Sequence, residues 1–298
     1  GALLAQGTAT RPITFTSANT TKAPGDWGGI VLGQGTDPTL TVLDYCILEY
    51  GGGVPGRQAL LAVDQVTLPL QHLTLQYSQG SGLTSYQANL TLTSLTSRAN
   101  LDSGLQLDGG TLTLSNLTVS NNGQAGLSGY GTVSLQDSTL SQNAAWGLRI
   151  DGGTWTLTNV TLTGNGADGL LTNPGNIQVT LATSTITNNA GYPLNLHPGT
   201  TLVSASGLTT SGNLAEVIAV RAATMSSGSA TLNALGLPYR FLGNVVIQGT
   251  GGASPVLTLA PGITVQMNPG AGLLIGAAAP GALLAQGTAT RPITFTSA

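Results

Sequence analysis

The acidic side chains are the residues to test first for chemistry. Cleaving a glycosidic bond takes two carboxyl groups about 5–10 Å apart, and elimination takes a base beside a cation that steadies the developing charge. Asp108 and Asp151 each precede Gly-Gly and share a register in the repeat described below. Two rungs separate them, with Tyr130 between and Asn173 following, and Asp in a DGGT turn is ordinarily a turn former. Asp102 and Asp168 lie three rungs apart, as do His72 and Asp137. Asp44 and Glu49 share a rung and could flank Arg57, a surface ion pair worth under about 1 kcal/mol. His72 and His197 stand apart in register, and Cys46 is the only cysteine, so neither a zinc site nor an intrachain disulfide is expected. The GGxGxD calcium repeat, HExxH and GxSxG are missing. The expectation is therefore no catalytic residue, no metal and no cofactor.

The elements that carry these residues repeat. Gly-Leu pairs fall at Gly82, Gly104, Gly126, Gly147 and Gly169, with steps of 22, 22, 21 and 22. Leu194 continues the series, with Pro193 in place of Gly. Within each block apolar and hydroxyl residues alternate, the period of a strand with one buried face. A strand–turn–strand unit of this size cannot bury its own apolar face, whereas stacked copies can, which makes a solenoid. Three inward columns follow: Leu68, Leu90, Leu112, Val133 and Trp155; Leu70, Leu92, Leu114, Leu135 and Leu157; Leu75, Ser97, Val119, Leu140, Leu162 and Ile186. Cys46 aligns inward with Leu73.

Polar columns accompany them. His72, Ser94, Asn116, Asp137, Asn159 and Thr183 mark one corner. Asn100, Asn122, Asn143, Asn165 and Asn189 mark a second, where asparagine is expected both to adopt left-handed backbone and to form an amide ladder between rungs. Thr74, Thr96, Thr118, Thr139, Thr161 and Thr185 form an outward column. Such arrays resemble ice-binding surfaces, but Thr also packs well in strands, and Gln76 and Arg98 interrupt the neighbouring column. Trp146, on an outward turn, is the best single candidate for a sugar or partner contact.

Composition narrows the function. Charged residues are 6% of the chain and the net charge is −3, against roughly 25% charged in ordinary domains. Lys22 is the single lysine, so the basic stripe a nucleic-acid binder needs is absent. Apolar runs are too short and broken for a helix to span a bilayer. Residues 1–18 and 281–298 both read GALLAQGTATRPITFTSA. That identity predicts a 280-residue tandem unit within one continuous solenoid over 1–298, without a cap at either end. About 11–12 rungs at roughly 4.8 Å would extend a rod by about 55 Å per unit.

The blocks ending SNNGxAGL, together with LTLAPGITVQM, GALLAQGTATRPITFTSA and APGDWGGIVL, resemble bacterial secreted and cell-surface right-handed parallel β-helix proteins of the pectate-lyase-like superfold. The resemblance implies an all-β, right-handed, single-stranded parallel β-helix with rungs of about 22 residues, outside the cell or on its surface. The expected function is a structural, non-enzymatic unit of a filament or stalk, partnered end to end by further copies of itself. The alternatives are an adhesin or carbohydrate-binding stalk gripping through loops 17–27 and 51–59, and a polysaccharide lyase or hydrolase.

Overall fold

The structure, a computed structural model, describes residues 1–54 and 58–298. The described residues contain strands and turns and no helix. Every pairing between named strands is parallel, joining one rung to the next. The result is a right-handed parallel β-solenoid.

A regular rung crosses three faces. The first carries Ala59–Asp64, Ser81–Tyr86 and the opening residues of Leu105–Ser115, and runs on through Leu170–Thr172, Leu194–Leu196, Ile218–Val220 and Tyr239–Phe241 to Thr264–Met267. The second holds the paired columns Leu68 and Leu70 through Trp155 and Leu157. The third stacks Leu48, Leu75, Ser97, Val119, Leu140, Leu162 and Ile186. Cys46 faces Leu73 in register and is buried. These columns form one continuous apolar core, since each rung's inward side chains rest on those above and below. The aliphatic columns therefore replace a conventional two-layer core.

Toward higher residue numbers the cross-section changes. The third face stops at Thr209–Ser211, and a small sheet of Ala223–Met225, Val245–Ile247 and Leu273–Ile275 opens between the first and second faces. The 22-residue repeat carries no sign of this exchange.

The bends are set residue by residue. His72, Ser94, Asn116, Asp137, Asn159 and Thr183 all have φ between 48° and 57°, which turns the chain from the second face to the third. The second bend corrects an expectation. Its left-handed residues are Ala99, Asn121, Gln142, Gly164 and Asn188, each one position before a ladder asparagine. The ladder asparagines themselves point inward and are buried. Asn100 Nδ2 donates to Asn122 Oδ1 at 2.9 Å, Asn122 to Asn143 at 2.9 Å, Asn143 to Asn165 at 3.0 Å and Asn165 to Asn189 at 2.9 Å. Each oxygen also accepts the backbone N–H of the preceding asparagine, and each Nδ2 also donates to a carbonyl such as Val119 O or Leu140 O. The stack continues one step further, to Asn213. Its amides have no unfilled donor, which is the condition for burying them without a desolvation penalty.

The Gly of each Gly-Leu pair leaves room for the ladder amide and, at Gly82, Gly104 and Gly169, for the still closer third-face side chains of Ser97, Val119 and Ile186. A Cβ on Gly126 would lie 2.7 Å from Asn143 Nδ2 and 2.8 Å from the Gly147 carbonyl oxygen; one on Gly104 would lie 2.9 Å from Asn122 Nδ2. Gly126→Ala should destabilise the fold by about 1–3 kcal/mol through overpacking. Asn143→Ala should cost about 1–3 kcal/mol by stranding the Asn122 amide and the Val119 carbonyl. Gln136→Ala, on the exposed surface, should stay within about 0.5 kcal/mol. Urea midpoints of the three variants check the order.

Candidate functional site

On the first face, outward-pointing side chains are themselves buried at Ala62, Ser128, Leu171, Asn195 and Ala219. A solenoid face whose outer residues are covered is concave, so this face is a trough walled by the turns on either side. Four ionisable groups whose pKa burial shifts, Asp108, Asp168, His197 and Arg221, lie in it or along its rim.

At one end the trough widens to a cleft of about 470 Å³ whose lining includes Asp64, Asp102 and Asp108, with Thr84, Tyr86 and Gln106 between them. Asp64 and Asp108 occupy one register two rungs apart, with Tyr86 between. Sequence reading missed Asp64 because its rung follows the irregular loop after Tyr50; its signal was the Asp–Tyr–Asp–Tyr order of positions 64, 86, 108 and 130. Burial pushes the Asp108 carboxyl above its ordinary range, the neighbouring Asp151 carboxylate adds to this, and Arg149 opposes both. Asp151 does not share the Asp108 register as expected. The ladder passes from Gly129 opposite Ile150 to Tyr130 opposite Gly152, which leaves Asp151 in a bulge. There it accepts from Arg149 Nη2 at 3.0 Å and from Asn173 Nδ2 at 2.5 Å.

Farther along, Asp168 accepts from the Tyr192 N–H at 2.8 Å and from Asn195 Nδ2 at 3.0 Å. Burial nevertheless raises its pKa. Arg221 reaches along the same side to the Thr172 carbonyl and to Asn173 Oδ1, and burial lowers its pKa. The Nε of Arg221 and Oδ1 of Asn195 have no partner in this arrangement. His197 is 6% exposed, accepts the Gly199 N–H on Nδ1 and is lowered to about 4, first by burial and then by the Arg221 charge.

The other expected positions fall elsewhere. Thr74, Thr96, Thr118, Thr139, Thr161 and Thr185 are in continuous register along the outside of the third face, preceded by Ile47 and followed by Thr209. Beside them Arg98 Nε donates to Gln76, and Gln76 donates to Glu49. Trp146 is half-buried, with the Arg149 guanidinium 5.8 Å from its ring centroid. His72 is not isolated: its Nδ1 lies 2.8 Å from Asp44 Oδ1, and its ring stacks on Tyr45 at 4.1 Å. Arg57 lies outside the described residues. Glu49 instead meets Lys22 at 3.5 Å, and Asp44 accepts from Gln71. Among the loops, Trp27 Nε1 donates to the Glu49 carbonyl, and Gly25 and Gly53 bond across to Gly51 and Trp27. The 17–27 excursion is therefore clamped to residues 49–53. Among the described residues no group of three or more His, Cys, Asp or Glu is placed to hold a metal ion, and no helix is long and apolar enough to cross a membrane.

Comparison with known proteins bears on the fold. A family model described as right handed beta helix region matches residues 81–236, and one described as pectate-lyase like beta helix domain matches residues 1–54. Among solved structures, the crystal structure of pectate lyase Pel9A is similar, with a TM-score of 0.52 and 14% identity over 86% of this chain and 67% of that one. At that identity the likeness shows a shared fold. No curated protein matches the chain.

The buried histidine gives a pH signature. Because folding lowers the His197 pKa from 6.5 to about 4, the unfolded chain binds the extra proton between those values. Its contribution is complete above pH 6.5 and is lost as pH falls to 4, at up to about 1.4 kcal/mol per pH unit. Asp168, raised, acts in the opposite sense just above 3.8. Urea unfolding should show a loss of stability between pH 6.5 and 4 that His197→Gln reduces; identical profiles for the two proteins would contradict it.

Proposed function

The chain belongs to the right-handed β-helix family, and from that premise we propose that it is a structural, non-enzymatic unit of a long extracellular β-solenoid filament or surface stalk. Its partners are further copies of the same 280-residue unit, end to end.

One observation carries this reading. The duplicated segment pairs through opposite edges in its two positions. In the first, Leu4–Gln6 pairs with Val42, Leu43 and Asp44, and Ile13–Phe15 with Cys46, Ile47 and Leu48. In the second, Ala282–Ala285 pairs with Val256–Leu259, and Thr294–Ser297 with Thr264–Met267. One copy of the segment can thus be the closing rung of one unit and the opening rung of the next. Following the second face from Ala5 through Leu43, Leu70 and its successors to Ala285 takes eleven steps. At about 4.8 Å per step the unit lengthens the rod by about 53 Å. The hydroxyl and amide surface, with few charges, suits an exposed rod and supports the extracellular placement.

A second reading, a carbohydrate-binding or carbohydrate-cleaving stalk, draws on the trough with Asp64, Asp102 and Asp108 and on the likeness to a pectate lyase. The non-enzymatic reading is preferred because the duplicated segment and its two pairings favour it, while Asp151 and Asp168, the other acids of this face, are held in structural hydrogen bonds.

Electron microscopy of native material should show thin unbranched filaments with an axial period of about 53 Å, and a denaturing gel should show a polypeptide many units long. Globular particles would reject the filament. Glycan binding lost in Trp146→Ala, or release of unsaturated fragments from polygalacturonate, would select the second reading.

A further inference from the structure

We propose that strand Leu273–Ile275 of one unit pairs in parallel with strand Ile30–Leu32 of the unit that follows, Leu273 opposite Ile30, Leu274 opposite Val31 and Ile275 opposite Leu32. The proposal rests on the end-to-end reading and specifies the surface through which it works.

The path of the chain leaves this as the missing step. The last rung runs Thr264–Met267, Leu273–Ile275, Ala282–Ala285 and then Thr294–Ser297. The first rung runs Leu4–Gln6, Ile13–Phe15 and Ile30–Leu32, and Val42–Glu49 follows. The duplicated segment belongs to both. Thr294–Ser297 already lies on Thr264–Met267, and Leu4–Gln6 is already covered by Val42–Glu49. Between those two steps the chain above contributes one strand, Ile30–Leu32, and the rung below offers one strand, Leu273–Ile275.

The side chains agree with that register. Leu273 and Ile275 continue the inward columns of Val245 and Ile247, which are buried. Ile30 and Leu32 lead into Leu61 and Val63, likewise buried. Ile275, although it points inward, is 41% exposed, while outward Leu274 and Val31 are 38% and 48% exposed. A covering rung buries the first and leaves the other two side by side.

A polar row on the adjacent face crosses the same junction. Thr296 lies opposite Gln266, whose Oε1 accepts from Arg240 Nε at 3.0 Å and Nη2 at 2.9 Å. Its duplicate, Thr16, donates to Glu49 Oε1 at 2.8 Å, and Glu49 accepts from Gln76, which accepts from Arg98. At a junction one threonine serves both sides, so the row runs from Arg240 of one unit to Arg98 of the next. The pairing also changes which face is which. The small sheet feeds the next unit's first face, and the trough face feeds its third.

The test is a chain of residues 1–280 followed by residues 1–298, carrying Leu274→Cys in the first unit and Val31→Cys in the second. Both positions are outward, and opposed residues on adjacent parallel strands lie within disulfide reach. Cys46, buried, supplies the same background in every variant. On mild oxidation the pair should cross-link in most molecules, while Leu274→Cys with Leu40→Cys should remain reduced. A rod of doubled length in small-angle scattering whose Leu274/Val31 pair stays reduced overturns this pairing and leaves the end-to-end reading standing. Two bodies joined flexibly, without the doubled rod, overturn both.

Discussion

The constraint on which the molecule depends is that one rung cannot bury its own apolar side chains. A rung is a single layer of extended chain bent around an axis, so Leu92 or Leu135 is covered only when a similar residue sits about one strand spacing above and below it. Backbone hydrogen bonds between rungs impose that spacing, and the side chains inherit it as columns. Identical spacing makes like residues the best neighbours: aliphatic on aliphatic in the core, and amide on amide at the bend, where each asparagine fills the donor and acceptor that the next one leaves open. Glycine enters by the same logic. Where Asn143 Nδ2 and the Gly147 carbonyl crowd one point, Gly126 is the residue that fits.

This explains what was legible in the sequence. In the regular blocks every rung repeats its neighbour's environment, so the period, the inward columns and the positions of Asn100 through Asn189 could be read from spacing alone. The chemistry of the bend was assigned one residue late. Asn residues occur at both positions of Asn121-Asn122 and Asn188-Asn189, but Ala99 and Gln142 carry positive φ without being typical turn residues, and nothing local marks them. The illegible contacts arise where one rung departs from the next. The bulge at Asp151, the partnership of His72 with Asp44 and the small sheet of residues 223–275 each depend on a loop or insertion that breaks the period. Asp64 is a different case: it stands in strict register with Tyr86 and Asp108, but its rung follows the irregular loop after Tyr50, so the Gly-Leu series that defines the repeat does not reach it.

The faces differ in what they can recognise. The third face presents a row of threonines, with a neighbouring column in which Thr163 and Thr187 meet between rungs at 3.0 Å and Arg98 and Glu49 each bond to the Gln76 amide. The trough differs because its walls remove water from the groups on its floor. The directions of the shifts say so directly: Asp108 and Asp168 are raised, while His197 and Arg221 are lowered, with burial the largest cause in all four. Partially desolvated charges interact more strongly than exposed ones, so this face carries the strongest electrostatic interactions available to a ligand.

The exchange of faces within a unit then has a structural consequence for an array. If the third face ended at Thr209–Ser211 and nothing replaced it, the chain would have two strands per rung and too narrow a cross-section to hold a core. The small sheet restores a third strand on the opposite side of the first face. In the proposed array each unit would hand its successor a three-strand rung, but with the strands advanced by one position relative to the second face. A rod built this way does not present one uninterrupted trough along its length. It would present trough segments of limited length, each giving way at a junction to a threonine face, so the ionisable clusters would recur once per unit as discrete patches and not as a continuous charged stripe.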